Sequence, residues 1–133
     1  MAAAALPSGL TDTDILIDAE RGVPDAVNFL IGQRASGGLS LSVISAMEMI
    51  EGCRNAQDLA ALIQFFGQAT IVQVNPVISQ RAQSWMESFF LSHGLQIADA
   101  IIAATAAEHN LPLYSKNIRH FQMLPGLSII RPY

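Results

Sequence analysis

The chain has 133 residues, enough for one domain with a core that stands without disulfides. Hydrophobic residues make up 51% and charged residues 14%, which excludes a disordered chain and leaves more apolar surface than one small core hides. Seven basic residues against eleven acids give a net charge of −4, which excludes a strongly basic nucleic-acid coat.

The opening Met1-Ala2-Ala3-Ala4-Ala5-Leu6-Pro7 lacks the basic start and long apolar stretch of a secretory signal. Residues 1–8 read as a flexible lead-in and 9–133 as a single domain. Leu10 to Asp12 reads as a short strand, and Asp14 to Glu20 as a helix stopped by Gly22. Pro24 opens a helix that runs toward Gly37-Gly38, and Leu39 to Leu41 is strand-like. Ser45-Ala46-Met47-Glu48 has the capping-box pattern and starts the next helix, which Gly52 ends. Asn55 caps another helix, with Leu59, Leu62, Ile63 and Phe66 on its apolar face. Thr70 to Val74 is β-branched and strand-like. Asn75-Pro76 is a cap with a first-position proline, and Ile78, Ala82, Trp85 and Phe89 follow at helical spacing until Gly94. Ile97 to His109 is a helix, Pro112 to Ser115 a strand, Asn117 to Phe121 a turn or one helical turn, and Leu127 to Ile130 the last strand. Short strands separated by helices argue an α/β fold with a mostly parallel sheet.

No run reaches the roughly 18 apolar residues of a spanning helix, so a soluble, cytoplasmic protein without a membrane segment is expected. The lone Cys53 excludes an intrachain disulfide and a cysteine-rich zinc site, and reads as a small buried hydrophobe.

Three acids stand out. Asp12 lies at the carboxyl end of the first strand, the edge where open α/β sheets bind ligands; a turn or cap aspartate is the plainer alternative. Asp99 has only apolar neighbours three, four and seven residues on, namely Ile102, Ala103 and Ala106. A carboxylate on such an inward stripe costs several kcal/mol unless it is paired or metal-bound. The helix dipole at a first turn accounts for a surface acid there, not for a buried one. Glu48 stands among Met47, Met49 and Ile50 on what reads as a semi-buried helix, and alternatively closes the capping box from Ser45. Acids brought to one strand edge by separate crossovers would suit magnesium or manganese, which prefer hard oxygen ligands. Without these three, eight acids remain against seven basic residues, so the negative charge is concentrated at the site.

Four blocks resemble PIN domains: Asp12-Thr13-Asp14-Ile15-Leu16-Ile17-Asp18; Ser42 through Glu48 to Gly52; Ile97-Ala98-Asp99-Ala100-Ile101-Ile102; and Leu113-Tyr114-Ser115-Lys116-Asn117-Ile118-Arg119-His120-Phe121 with Pro125-Gly126-Leu127. They stand in the family's order and spacing from about Leu10 to Ile130. The resemblance implies a PIN-like fold and a metal-dependent endoribonuclease most like the VapC-type toxins of toxin–antitoxin pairs. Asp12, Glu48 and Asp99 would be the catalytic, metal-binding acids, with Mg2+ or Mn2+ as cofactor. Thr13 and Ser115 would be polar residues that orient the site. Asn117 stands where the family often has a fourth acid. Asp14 departs from the usual Asn and would either add a carboxylate or cap the helix.

Lys116, Arg119 and His120 cluster beside Asn117 as phosphate contacts for RNA, or as a solvated loop. The alternative from another class is a non-catalytic PIN-like module that binds RNA or protein. A third reading, a phosphatase with Asp12 and Asp14 as its nucleophile pair, lacks any positioned phosphate loop. The low charge fraction and the apolar residues Val27, Leu30, Phe65 and Phe66 suggest a homodimer. They also suggest a groove for a helix or tail of a VapB-like antitoxin.

Overall fold

The computed structural model describes residues 6–133, which form a five-stranded sheet, all parallel, flanked by helices. In chain order the elements are β1 (Gly9–Thr11), α1 (Thr13–Glu20), α2 (Pro24–Ala35), β2 (Leu39–Ser42), α3 (Val43–Glu51), α4 (Ala56–Phe66), β3 (Thr70–Val72), α5 (Pro76–His93), α6 (Ile97–Glu108), β4 (Leu113–Tyr114), α7 (Ile118–Phe121) and β5 (Ile129–Ile130). The strand order is β3-β2-β1-β4-β5. The chain therefore starts at the centre, builds outward through β2 and β3, then returns to β1's other side for β4 and β5. Such a reversal leaves a crevice at the carboxyl ends of the central strands.

Side-chain alternation along the strands divides the core into two layers. Leu10 and Leu113 face Ile78, Ala82, Trp85, Ala103 and Ala106 of α5 and α6. Leu39, Leu41 and Tyr114 face Ile15, Leu16, Ala26 and Leu30 of α1 and α2. The small residues of α6 let it approach the sheet closely; Ala100, Ala103, Ala104 and Ala106 are fully buried. Trp85 is core, as its spacing implied. α5 opens on Asn75, whose side-chain oxygen accepts from the Ile78 N–H at 2.9 Å, and closes at Gly94 in the left-handed region at φ 67°.

Several local expectations are corrected. α3 starts at Val43, with Ser42 as its cap accepting from the Ile44 N–H at 3.1 Å, not at Ser45. β2 runs straight into α3, because Ser42 is still paired with Val72 of β3 and leaves no loop. Ser45 is an interior, fully buried helix residue, and Glu48 is exposed rather than semi-buried. Asp12, not Asp14, is the N-cap of α1, since the helix begins one residue after β1 ends. The strands expected over 70–74 and 127–130 shorten to Thr70–Val72 and Ile129–Ile130. Cys53 is half-buried.

Of the lead-in expected over residues 1–8, residues 1–5 lie outside the described residues. The Pro7 carbonyl accepts hydrogen bonds from Gln33 and from the Tyr114 hydroxyl. Among the described residues no helix is long and apolar enough to cross a membrane.

Candidate active site

The adjacent ends of β1 and β4 position the site. Asp12 follows β1, its N–H held by the Tyr114 carbonyl at 2.9 Å, and Ser115 follows Tyr114. The two side chains meet: the Ser115 hydroxyl donates to Asp12 Oδ2 at 2.8 Å and accepts from the Asn117 N–H at 3.0 Å. Asp12 Oδ1 accepts from the Thr13 N–H at 2.8 Å. Asp14, in the first turn of α1, accepts from the Lys116 N–H at 2.9 Å through Oδ2 and from the Ile15 N–H at 2.8 Å through Oδ1. Both aspartates are thereby oriented by backbone and hydroxyl donors of the same loop.

Glu48 reaches the site from α3. Thr13 Oγ1 donates to Glu48 Oε1 at 2.8 Å, and the Ser45 hydroxyl oxygen lies 2.9 Å from Thr13 Oγ1. The capping role that the Ser45–Glu48 spacing suggested is replaced by this bridge to α1. Asp99 comes from the first turn of α6, half-buried, with Oδ2 3.3 Å from His120 Nδ1. Its neighbours Ile102, Ala103 and Ala106 are buried, as the sequence pattern required, while Asp99 itself is only half-buried.

The acids feel one another. Burial pushes the Asp12 carboxyl up to about 7, and the charges of Asp14 and Asp99 push in the same direction, against the hydrogen bonds from Ser115 and Thr13. Burial also raises Asp99; His120 opposes this, and Glu48 and Asp14 add to it. Carboxylates that raise each other's proton affinity gain from any shared cation. Four oxygen-donor side chains, with no nitrogen or sulfur ligand among Asp12, Asp14, Glu48 and Asp99, suit a hard divalent ion. Among the described residues no group of three or more His, Cys, Asp or Glu side chains forms a ready cage for a metal. Each carboxylate already has a protein partner: Asp12 has Ser115 and the Thr13 N–H, Asp14 the Lys116 and Ile15 N–H groups, Glu48 Thr13, and Asp99 His120.

The remaining site residues divide. Asn117 and Arg119 are exposed beside the cluster. Lys116, expected to contact phosphate, instead directs its ammonium to Asp18 and lies 5.6 Å from the Tyr133 ring centroid. Sequence reasoning missed Asp18 and Tyr133 as neighbours of the site; the only local signal was Asp18's spacing of one turn from Asp14. It also missed Ser45 as a partner of Thr13 and His120 as a partner of Asp99.

A separate groove of about 470 Å³ lies among α1, α2, α3 and α4, lined by Leu16, Leu30, Met49, Leu62 and Phe65 among others. No α4 residue is fully buried, so its apolar face forms one wall of this groove.

A doubly flanked parallel sheet with acids gathered at its central crevice defines a class, and residues 10–124 match the PIN domain; the chain belongs to the PIN-domain family. It is similar to Ribonuclease VapC10 of Mycobacterium tuberculosis, 36% identical over 121 residues, which cover 89% of each chain. Ribonuclease VapC19 of the same organism is 33% identical over 121 residues, 89% of this chain and 95% of that one. Among solved structures, a toxin-antitoxin complex from Klebsiella pneumoniae contains a chain 29% identical, with a TM-score of 0.77, covering 95% of this chain and 98% of that one. Metal dependence is general to PIN-domain ribonucleases of the VapC kind.

Proposed function

We propose that this protein is a metal-dependent endoribonuclease, the toxin of a toxin–antitoxin pair, hydrolysing RNA phosphodiesters at the cluster of Asp12, Glu48 and Asp99. The observation that carries the reading is the convergence of acids from three different elements on one crevice, where burial and mutual charge raise Asp12 and Asp99. Acids gathered in a crevice with raised proton affinity are a mark of functional sites; here Asp12 and Glu48 are held by hydrogen-bond donors, and Asp99 lies beside His120.

Asp12, Glu48 and Asp99 would hold Mg2+ or Mn2+. A bound divalent ion supplies positive charge to a phosphoryl oxygen and lowers the pKa of water in its shell. The protein's own groups do the rest. Ser115 and the Thr13 N–H fix the two oxygens of Asp12, so its position does not depend on a ligand. Thr13 fixes Glu48 from the neighbouring helix. Asp14, held by the Lys116 N–H, adds negative charge at the same place. Arg119 and Asn117, both exposed, would meet an RNA phosphate or sugar. Neither Ser45 nor Ser115 lies beside a histidine base, so hydrolysis by activated water is favoured over a covalent intermediate.

The apolar groove bordered by Leu62 and Phe65 suits a helix or extended segment of a VapB-like antitoxin, and the similarity to a chain from a toxin-antitoxin complex supports this assignment. The exposed Val77, Phe90, Leu91 and Ile97 of α5 and α6 favour a homodimer.

Incubation of the purified toxin with RNA, with and without a chelator, tests the reading. Cleavage that the chelator stops and manganese restores is expected, with linear phosphate ends. Products ending in 2′,3′-cyclic phosphate would assign the attack to the RNA's own 2′-hydroxyl and overturn it. RNA binding without cleavage under any divalent ion would favour the non-catalytic alternative.

A further inference from the structure

Asp14 and Asp18 are four residues apart on α1 and share one face of the helix. Lys116 stands opposite both. Its backbone N–H donates to Asp14 Oδ2 at 2.9 Å, while its ammonium pairs with Asp18 Oδ2. The Tyr133 hydroxyl donates to that same Asp18 oxygen at 2.8 Å, and the Tyr133 ring lies under the ammonium with its centroid 5.6 Å away. Arg131 steadies this arrangement, its Nε donating to the Tyr133 carbonyl at 2.9 Å. Both charged side chains are largely shielded, Lys116 at 30% exposure and Asp18 at 15%.

The Lys116 side chain leaves the backbone beside Asp14, whose carboxylate its amide touches, yet its ammonium pairs with Asp18. Two carboxylates one helical turn apart are thus both neighbours of one lysine, through its amide and its ammonium. On the Asp14 side, that ammonium would neutralise charge in the cluster and compete with any ion drawn there. On the Asp18 side it gains a carboxylate already oriented by a phenol, and an aromatic face. The hydrogen bonds from Lys116 and Tyr133 also hold the Asp18 carboxyl below the usual carboxylate range, so the partner stays charged through neutral pH.

We propose that Asp18 and Tyr133 are positioning residues that hold the Lys116 ammonium off the acid cluster, leaving Asp12, Asp14 and Asp99 open to a divalent cation. This rests on the reading of the cluster as a cation site. A plain surface staple between α1 and the segment after β4 would use the same contacts, but it would respond differently to removal of the lysine. If Asp18 restrains a competitor, deleting Lys116 repairs the loss of Asp18. If the pair is a staple, deleting both partners leaves the damage in place.

Calorimetric titration with manganese alone, on protein stripped of metal, separates the two. Asp18→Asn is expected to weaken binding about three- to fivefold, the span of one partly exposed ion pair. Tyr133→Phe is expected to weaken it about twofold, since the ring remains and only the hydroxyl is lost. The double variant Asp18→Asn/Lys116→Met should return to the wild-type affinity, and Lys116→Met alone should bind at least as tightly as wild type. Wild-type affinity in Asp18→Asn, a double variant as weak as Asp18→Asn, or weakened binding in Lys116→Met alone would each overturn the inference. Manganese binding that Asp12→Asn leaves unchanged is a different failure: it would remove the cation site from the cluster, and this inference with it.

Discussion

Burial and the charge of Asp14 lift the Asp12 carboxyl from 3.8 to about 7, so the metal-free native state holds a proton that the unfolded chain has released over that range. A native pKa above the unfolded one gives a stabilising contribution that is complete below about pH 4 and lost as pH rises through about 7. Asp12→Asn keeps the shape and removes the titration. In chelator, the melting temperature of wild type should therefore fall relative to Asp12→Asn by about 5–10 °C between pH 4 and pH 8. A constant difference over that range would mean that Asp12 titrates as an ordinary surface acid. Thr13 offers a second test. Its hydroxyl joins buried Ser45 to Glu48, so Thr13→Val leaves both without that partner. A loss of about 1–2 kcal/mol in urea unfolding is expected, together with a fall in cleavage of about tenfold as Glu48 loses its orientation. Full cleavage by a destabilised Thr13→Val would show that Glu48 needs no such support. The polar character of Thr13 and Ser115 was readable from the blocks around them, but the partner of each hydroxyl was not, because those partners are set by how β1, α3 and β4 meet.

Elements whose ends carry their own chemistry were legible in the sequence. Asn75-Pro76 and Gly94 bracket α5 because cap, fixed proline φ and left-handed glycine act within a few residues of themselves. The start of α3 was not legible. Ser45 and Glu48 satisfy the capping-box spacing, and only the pairing of Ser42 with Val72 across the sheet moves the start back to Val43. Strand edges shortened for the same reason, since a strand ends where its neighbour ends, whatever its β-propensity. Gly9 is a further case with no local signal. A Cβ there would stand 2.7 Å from the Pro112 carbonyl oxygen and 2.5 Å from the Tyr114 ring, so β1 and β4 approach closely only because this residue has no side chain. Gly9→Ala is expected to cost about 1–3 kcal/mol in denaturant unfolding, and to weaken manganese binding by shifting Asp12 relative to Ser115. An unchanged unfolding midpoint would mean that the two strands can part without loss.

At the scale of the whole molecule, the sheet order decides which acids meet. Starting at the centre and reversing direction brings α1, α3 and α6 to one crevice, and with them Asp12, Glu48 and Asp99. The set of acids was legible because its blocks resemble a family, and because Asp99 is costly without a partner. The link from Asp18 to Tyr133 was not, because nothing in either stretch announces a contact across 115 residues. The same layout keeps the apolar groove apart from the acids: none of Asp12, Glu48 and Asp99 lines it. Leu62→Asp should therefore abolish capture of a VapB-like antitoxin in a pull-down while leaving RNA cleavage within about twofold of wild type, as expected for a charge placed in an apolar interface remote from the chemistry. Retained capture would move the antitoxin to another surface. The central claim is that three acids from three elements act as one cation-dependent site, and cleavage of end-labelled RNA by Asp12→Asn, Glu48→Gln and Asp99→Asn in manganese measures it most directly. Each substitution is expected to lower the rate by about a hundredfold or more while the protein stays folded, and combining them should add little beyond the first, as residues acting as a unit do. Cleavage at the wild-type rate by folded Asp12→Asn or Asp99→Asn, or losses that multiply independently, would contradict it.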